Sequence, residues 1–119
     1  MSGTADSIRV LHVDDEPGFT SLARDFLERA DDRIDVQTAA SADEAMELVR
    51  AADIDCVVSD YDMPGRNGIG FLEAVRETRP DLPFILYTGK GSEEVAGEAI
   101  SAGVTDYLQK DTGSEQYSI

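Results

Sequence analysis

Acidic residues stand where several apolar runs of this chain stop. Asp14 and Asp15 follow one such run, and Asp60 ends another; Thr88 and Lys110 end two later ones. Crowded carboxylates repel one another, a problem that a bound cation removes, and a site made only of oxygen ligands suits Mg²⁺. A metal ion, an ammonium and a hydroxyl together neutralise phosphoryl oxygens, and a carboxylate can attack phosphorus. These residue types predict phosphoryl chemistry if the fold brings them together.

Strand-like and helix-like segments alternate along the chain, as in a parallel sheet covered on both faces. With right-handed crossovers, this pattern predicts an α/β, doubly wound, flavodoxin-like sheet of order 2-1-3-4-5. Parallel strands deliver their carboxyl ends to one edge, so the residues named above should meet beside strands 1 and 3. Asp60 ends strand 3, which lies at the switch point of the sheet, and this makes Asp60 the expected nucleophile. The predicted strands are Ile8–Val13, Ile34–Ala39, Asp55–Asp60, Pro83–Thr88 and Val104–Gln109.

Helix boundaries are marked by caps and breakers. Pro17 suits a first helical position, Ser41–Glu44 is a capping box, and Gly103 can close a helix. Another helix should end near Arg79, and Ser92 can cap the helix after strand 4. In the first helix, the apolar face is predicted to carry Phe19, Leu22, Ala23, Phe26, Leu27 and Ala30.

The end of the sequence carries a second capping box, Thr112–Glu115, with four residues after it. A helix that short cannot hold itself together. We therefore expect that the final helix is truncated and that residues 1–119 are one domain excised from a longer chain.

Composition narrows the class of protein. The 119 residues suit one domain, and a formal net charge of -15 disfavours binding to nucleic acid or an anionic membrane. Cys56 is the only cysteine, which excludes an internal disulfide. Without a signal peptide or a membrane-length apolar run, the expected location is the cytoplasm. The chain has only two lysines, Lys90 and Lys110, a balance typical of salt-loving organisms, although an ordinary acidic domain is the alternative.

A family resemblance rests on motifs spread over the whole chain up to the last helix. They are VDDE (13–16), DYDMPGRNG (60–68), YTG (87–89) and YLQK (107–110). In combination they resemble the receiver domain of two-component response regulators. The stretch TGKGSEEVAGEAISAGVTDYLQK (88–110) further resembles receivers of halophilic archaea, which are often fused to sensor or histidine kinase domains.

The resemblance implies a metal site and a phosphoacceptor. Asp60 would take a phosphoryl group from the phosphohistidine of a histidine kinase or phosphotransfer protein. Asp15, Asp60 and the backbone carbonyl of Asp62 would ligate Mg²⁺, with Asp14 helping through water. Lys110 would hold phosphoryl oxygens. The domain assists its own phosphorylation without being an enzyme in the usual sense.

The resemblance also implies a switch and partners. Thr88 would hold phosphoryl oxygens and move toward the phosphate, and Tyr107 would then turn inward. This motion alters the face of helix 4 and strand 5 for an output or kinase domain in the same longer chain. The domain alone is expected to be a monomer that binds neither nucleic acid nor membrane.

Other interpretations of these residues stay open. Asp14 and Asp15 can cap the first helix, and Thr88 can be a plain strand-end residue. Lys110 can be a solvated lysine, and Tyr107 an ordinary half-buried tyrosine. His12 is expected to be a packed core histidine, and Cys56 a small core residue. As whole functions, the alternatives are a pseudo-receiver that binds partners without phosphorylation and a haloacid-dehalogenase-type phosphatase, whose nucleophile pair Asp60 and Asp62 superficially match.

Three positions bear on how the site departs from the family or how long a phosphate would last on it. Asp111 stands where most receivers have a cis proline; a cis non-proline bond costs about 2.5–4 kcal/mol, so the Lys110–Asp111 bond is predicted to be trans. Gly89 replaces a common alanine and opens the site to water, while the extra carboxylate of Asp62 repels hydroxide. Their opposite effects leave the lifetime of the acyl phosphate open.

Overall fold

The computed structural model describes residues 7–88 and 93–109. These residues form a five-stranded parallel sheet in the order β2-β1-β3-β4-β5, which confirms the predicted doubly wound, flavodoxin-like fold. Four helices connect the strands in this part of the chain. The elements are β1 (Ile8–Val13), α1 (Pro17–Ala30), β2 (Ile34–Ala39), α2 (Ala42–Ala51), β3 (Cys56–Asp60), α3 (Gly68–Thr78), β4 (Phe84–Thr88), α4 (Glu93–Ala102) and β5 (Asp106–Gln109).

The main core lies on the face of the sheet that α2 and α3 cover. Because strand side chains alternate between the two faces, Leu11, Val57 and Leu86 share this side, and each is fully buried. Phe71 of α3 packs against Phe84 with ring centroids 5.4 Å apart. This packing fixes the strands at whose ends the acidic residues stand.

The helix signals in the sequence are mostly confirmed. Pro17 opens α1, and Ser41 Oγ accepts a hydrogen bond from the Glu44 N–H at 3.2 Å, so the capping box forms. The Glu44 carboxylate accepts in return from the N–H of Ala40, one residue before the cap. Asn67, which the sequence analysis missed, caps α3 by accepting from the Gly70 N–H at 2.9 Å. The predicted cap Ser92 and the capping box at 112–115 lie outside the described residues.

Three strands begin later than predicted. β3 and β4 each lose one residue, and β5 begins at Asp106 rather than Val104. Val104 instead donates its N–H to the carbonyl of Ala99, which closes α4 together with Gly103 at φ 93°. An apolar residue after a helix therefore extends the helix cap here instead of starting the strand.

Among the described residues, the opposite face of the sheet is only partly covered. Phe26 was predicted to lie on the buried, apolar face of α1. Its side chain is 73% exposed among the described residues, so this prediction is wrong. It borders an apolar groove of about 380 Å³ with Val58, Ile85 and Leu108.

Cys56 is half-buried rather than a core residue. No described helix has the length and apolar character needed to cross a membrane.

Candidate functional site: an acidic edge of the sheet

The acidic residues of β1 and β3 come together at the carboxyl edge of the sheet. β1 and β3 are neighbours in register, with Val13 opposite Ser59, so the next residues, Asp14 and Asp60, lie side by side. Carboxylate oxygens of Asp14, Asp15 and Asp60 all lie within 4.8 Å of one another. Asp14 and Asp60 are buried, whereas Asp15 is exposed. The structure thus groups three of the predicted metal ligands.

Asp14 is held by hydrogen bonds to both of its oxygens. Oδ1 accepts from the backbone N–H of Glu16 at 2.9 Å, and Oδ2 accepts from the hydroxyl of Tyr87 at 2.7 Å. Its carboxylate therefore does more than cap α1, which begins after it with Glu16 as the N-cap residue. These bonds stabilise a buried negative charge beside two others.

Asp60 ends β3, and the loop after it is tied back to the strand. The Tyr61 N–H donates to the carbonyl of Tyr87, and the Gly68 N–H donates to the carbonyl of Tyr61, both at 2.9 Å. The N–H of Asp62 points at Asp60 Oδ1 from 3.4 Å, while the Asp62 side chain is exposed. Gly65 turns the loop with φ 80°, and Met63 packs into the core. A rigid strand end thus presents Asp60, and its loop folds back over the start of α3.

The remaining predicted site residues fall on β4 and β5. Thr88 ends β4 and is fully buried. It lies one residue beyond Tyr87, which is opposite Asp60. Tyr107 is half-buried and packs against the core; its buried hydroxyl has no hydrogen-bond partner among the described residues. Lys110, together with Gly89 and the Lys110–Asp111 bond, lies outside the described residues, so those predictions are untested.

The sequence analysis did not identify two residues with aromatic rings, Tyr87 and His12, as contacts of the acidic site. Tyr87 reaches across β3 to Asp14, and its hydroxyl lies 3.0 Å from His12 Nε2. Burial and the hydrogen bond to Asp14 raise the pKa of the Tyr87 hydroxyl, so it keeps its proton as a donor. The expected burial of His12 is confirmed, at 1% exposure. The available signal was a polar ring in each of two apolar strands, close to Asp14 and Thr88.

The donor set fits a magnesium ion. All three grouped side chains offer carboxylate oxygens, the ligands that Mg²⁺ prefers, and the exposure of Asp15 leaves room for the waters that Mg²⁺ retains. A cation between them would also relieve the repulsion of three neighbouring negative charges.

Comparisons with known proteins agree with this geometry. The family model "Response regulator receiver domain" matches residues 10–117. The chain is 35% identical over 114 residues to the protein-glutamate methylesterase/protein-glutamine glutaminase of Methanococcoides burtonii, covering 93% of this chain and 32% of that protein. It is 36% identical over 102 residues to the transcriptional regulatory protein ResD of Bacillus subtilis, covering 86% of this chain and 41% of ResD.

Solved structures give the same result. The chemotaxis protein CheY4 of Vibrio cholerae superposes with a TM-score of 0.83 at 30% identity, covering 94% of this chain and 93% of CheY4. The doubly wound sheet of this chain is the CheY-like, flavodoxin-like fold of these solved structures. The chain belongs to the response regulator receiver family and is a receiver domain of two-component signal transduction.

Membership of the receiver family excludes one alternative function, and the relatives show that the domain occurs within longer proteins. The phosphatase of the haloacid dehalogenase type is wrong, because the chain matches the receiver family over most of its length. The chain spans about a third of the methylesterase and two fifths of ResD, so family members occur as parts of longer proteins.

Proposed function

We propose that Asp60 is the phosphoacceptor and that Asp14, Asp15 and Asp60, with the backbone carbonyl of Asp62, hold Mg²⁺. The observation that carries this proposal is the grouping of three carboxylates within 4.8 Å at the end of β3. Bound Mg²⁺ would supply positive charge against the phosphoryl oxygens. The donor is a histidine kinase or a phosphotransfer protein that carries a phosphohistidine.

The transfer itself is a substitution at phosphorus. A carboxylate oxygen of Asp60 forms a new O–P bond, and the P–N bond to the donor's imidazole breaks. The bonding pair stays on that nitrogen, which then takes a proton. Asp60 suits this role because it stands at the end of a buried strand and its loop is tied to Tyr87 and Gly68 by backbone hydrogen bonds.

The switch is proposed to run through Thr88 and Tyr107 to the face formed by α4 and β5. Thr88 stands at the end of β4, one residue beyond Tyr87, which pairs with Asp60. β5 pairs directly with β4, with Leu86 opposite Tyr107. The Tyr107 ring packs against the core, and its buried hydroxyl has no hydrogen-bond partner among the described residues, so no described hydrogen bond fixes that hydroxyl. Lys110 is proposed to bind the phosphoryl oxygens, as the resemblance implies.

The setting of the domain is also a proposal. We infer that it works in the cytoplasm as a monomer and signals to an output or kinase domain in the same longer chain. Its charge of -15 supports the absence of nucleic-acid binding. The scarcity of lysine among many acidic residues supports an origin in a salt-loving organism.

Intact mass spectrometry tests the proposed function. The chain is incubated with a small acyl phosphate, with and without Mg²⁺, beside Asp60→Asn and the surface control Asp53→Asn. We expect the mass of one phosphoryl group on the wild type and on Asp53→Asn, only with Mg²⁺, and none on Asp60→Asn. A folded wild-type chain that gains no mass would favour the pseudo-receiver.

A further inference from the structure

His12, Tyr87 and Asp14 form a buried chain of hydrogen bonds behind the acidic edge. The Tyr87 hydroxyl lies 2.7 Å from Asp14 Oδ2 and 3.0 Å from His12 Nε2. The two rings stack with centroids 5.7 Å apart and planes 8° from parallel. All three side chains are at most 6% exposed, so bulk water does not compete for these bonds.

The proton count fixes the direction of this chain. A tyrosine hydroxyl has one proton, and an ionised carboxylate can only accept. The Tyr87 hydroxyl donates to Asp14 Oδ2 at 2.7 Å, the shorter of its two contacts, so the Tyr87 proton belongs to the bond with Asp14. The contact with His12 is then a hydrogen bond only if the imidazole carries a proton on Nε2 and donates it to the tyrosine oxygen.

Asp14 is thereby fixed in one orientation. Tyr87 holds one oxygen and the Glu16 N–H holds the other, whereas Asp15 is exposed to solvent. Partners that orient the groups around a metal matter for its affinity nearly as much as the ligands do.

We propose that Tyr87, backed by His12, is a positioning residue of the magnesium site. Tyr87 holds the Asp14 carboxylate where it faces Asp15 and Asp60, and His12 directs the tyrosine proton toward Asp14. This inference rests on the proposed function, because it takes the acidic edge to be a Mg²⁺ site.

Two measurements test the proposal. The first is the nitrogen-15 NMR spectrum of the imidazole in the wild type, which is unambiguous because His12 is the only histidine. The second is calorimetric titration with Mg²⁺ alone of the wild type, Tyr87→Phe and the control Tyr107→Phe. Tyr107 is also a partly buried tyrosine, and its hydroxyl has no hydrogen-bond partner among the described residues, so its change leaves the contact with Asp14 intact.

We expect a protonated Nε2 on His12, a Kd for Mg²⁺ raised about tenfold in Tyr87→Phe, and an unchanged Kd in Tyr107→Phe. An unprotonated Nε2 would make His12 an acceptor that competes with Asp14 for the tyrosine proton, and it would overturn the proposal even if Tyr87→Phe does not fold. A wild-type Kd retained by Tyr87→Phe would also overturn it. If the wild type binds no Mg²⁺, the proposed function fails first and the positioning role fails with it.

Discussion

Gly68 lies where the first turn of α3 meets the end of β3. A Cβ atom at this position would stand 2.5 Å from the carbonyl oxygen of Asp60 and 2.9 Å from the Cα of Tyr61. Both atoms belong to the backbone and cannot move aside as a flexible side chain can. The missing side chain therefore lets α3 approach the strand that carries Asp60.

We predict that Gly68→Ala lowers the free energy of unfolding by about 1–3 kcal/mol, the usual cost of overpacking, and slows phosphorylation because it displaces the loop after Asp60. Urea unfolding and intact mass measure the two effects. Gly97→Ala is the matched control, since an added Cβ meets nothing within 4 Å on exposed α4 and should stabilise by about 0.5–1 kcal/mol. Equal effects of the two variants would contradict the steric argument.

At the scale of elements, Arg76 joins α3 to its neighbours. Its Nε donates to the carbonyl of Gly103 at 2.8 Å, and its Nη1 donates to the carbonyls of Leu82 and Arg79 at 2.7 and 3.2 Å. Partial burial lowers the pKa of this guanidinium without removing its charge. One side chain thus connects the end of α3, the approach to β4 and the turn before β5.

We predict that Arg76→Lys lowers the free energy of unfolding by about 1–2 kcal/mol, because a lysine cannot reach three carbonyls in this fork geometry. Chemical denaturation measures the loss. The control Arg50→Lys changes an exposed arginine in the last turn of α2 and should have almost no effect. A loss no larger than that of Arg50→Lys would show that the carbonyls find water instead.

The sequence predicts most elements because their ends carry local signals. β1 and β2 were predicted to the residue, since each is a β-branched run that ends at a polar or turn segment. The start of β5 was misplaced, because an apolar run does not tell whether the Val104 N–H bonds to a strand or to Ala99. Similarly, the pattern of α1 predicted burial for Phe26, but burial depends on what covers that face.

The acidic edge was predictable for a topological reason, since parallel strands bring their carboxyl ends together. The contact of Tyr87 with Asp14 was not predictable, because it depends on how far a tyrosine reaches across β3. Spacing in the sequence carries no information about that reach.

Also at the scale of elements, an apolar groove beside α1 marks a face of the sheet that the described residues leave partly uncovered. The faces of a parallel sheet are normally both covered, yet among the described residues nothing covers Val58, Ile85 and Leu108 completely. The capping box at Thr112–Glu115, which predicts a helix after β5, lies outside the described residues.

At the scale of the whole molecule, the excess of acidic residues determines how the stability of the fold depends on salt. With 25 acidic and 10 basic residues, the folded chain repels itself more strongly than the expanded one. Salt screens this repulsion, and the Debye length falls from about 10 Å at 0.1 M to about 3 Å at 1 M.

We therefore predict that the thermal unfolding midpoint rises by several degrees between 0.1 and 1 M KCl; about 4 °C corresponds to 1 kcal/mol for a domain near this size. Calorimetry measures the midpoint. NaCl at the same ionic strength should give the same rise, and a variant with exposed Asp53→Asn and Glu77→Gln should give a smaller one. A midpoint that falls with added salt would contradict the role assigned to charge.

The pairing of β1 with β3 has a consequence for how the chain acquires its site. Val10 pairs with Cys56, so β1 must wait for the whole β2 and α2 segment before β3 reaches it. Contacts this distant in sequence form slowly during folding. A nascent chain that has emerged only as far as α2 holds Asp14 and Asp15 but not Asp60, and it cannot assemble the acidic edge. If the completed edge binds Mg²⁺ as proposed, the ion favours the folded state by mass action, so the chain gains the metal site and this added stability in the same step.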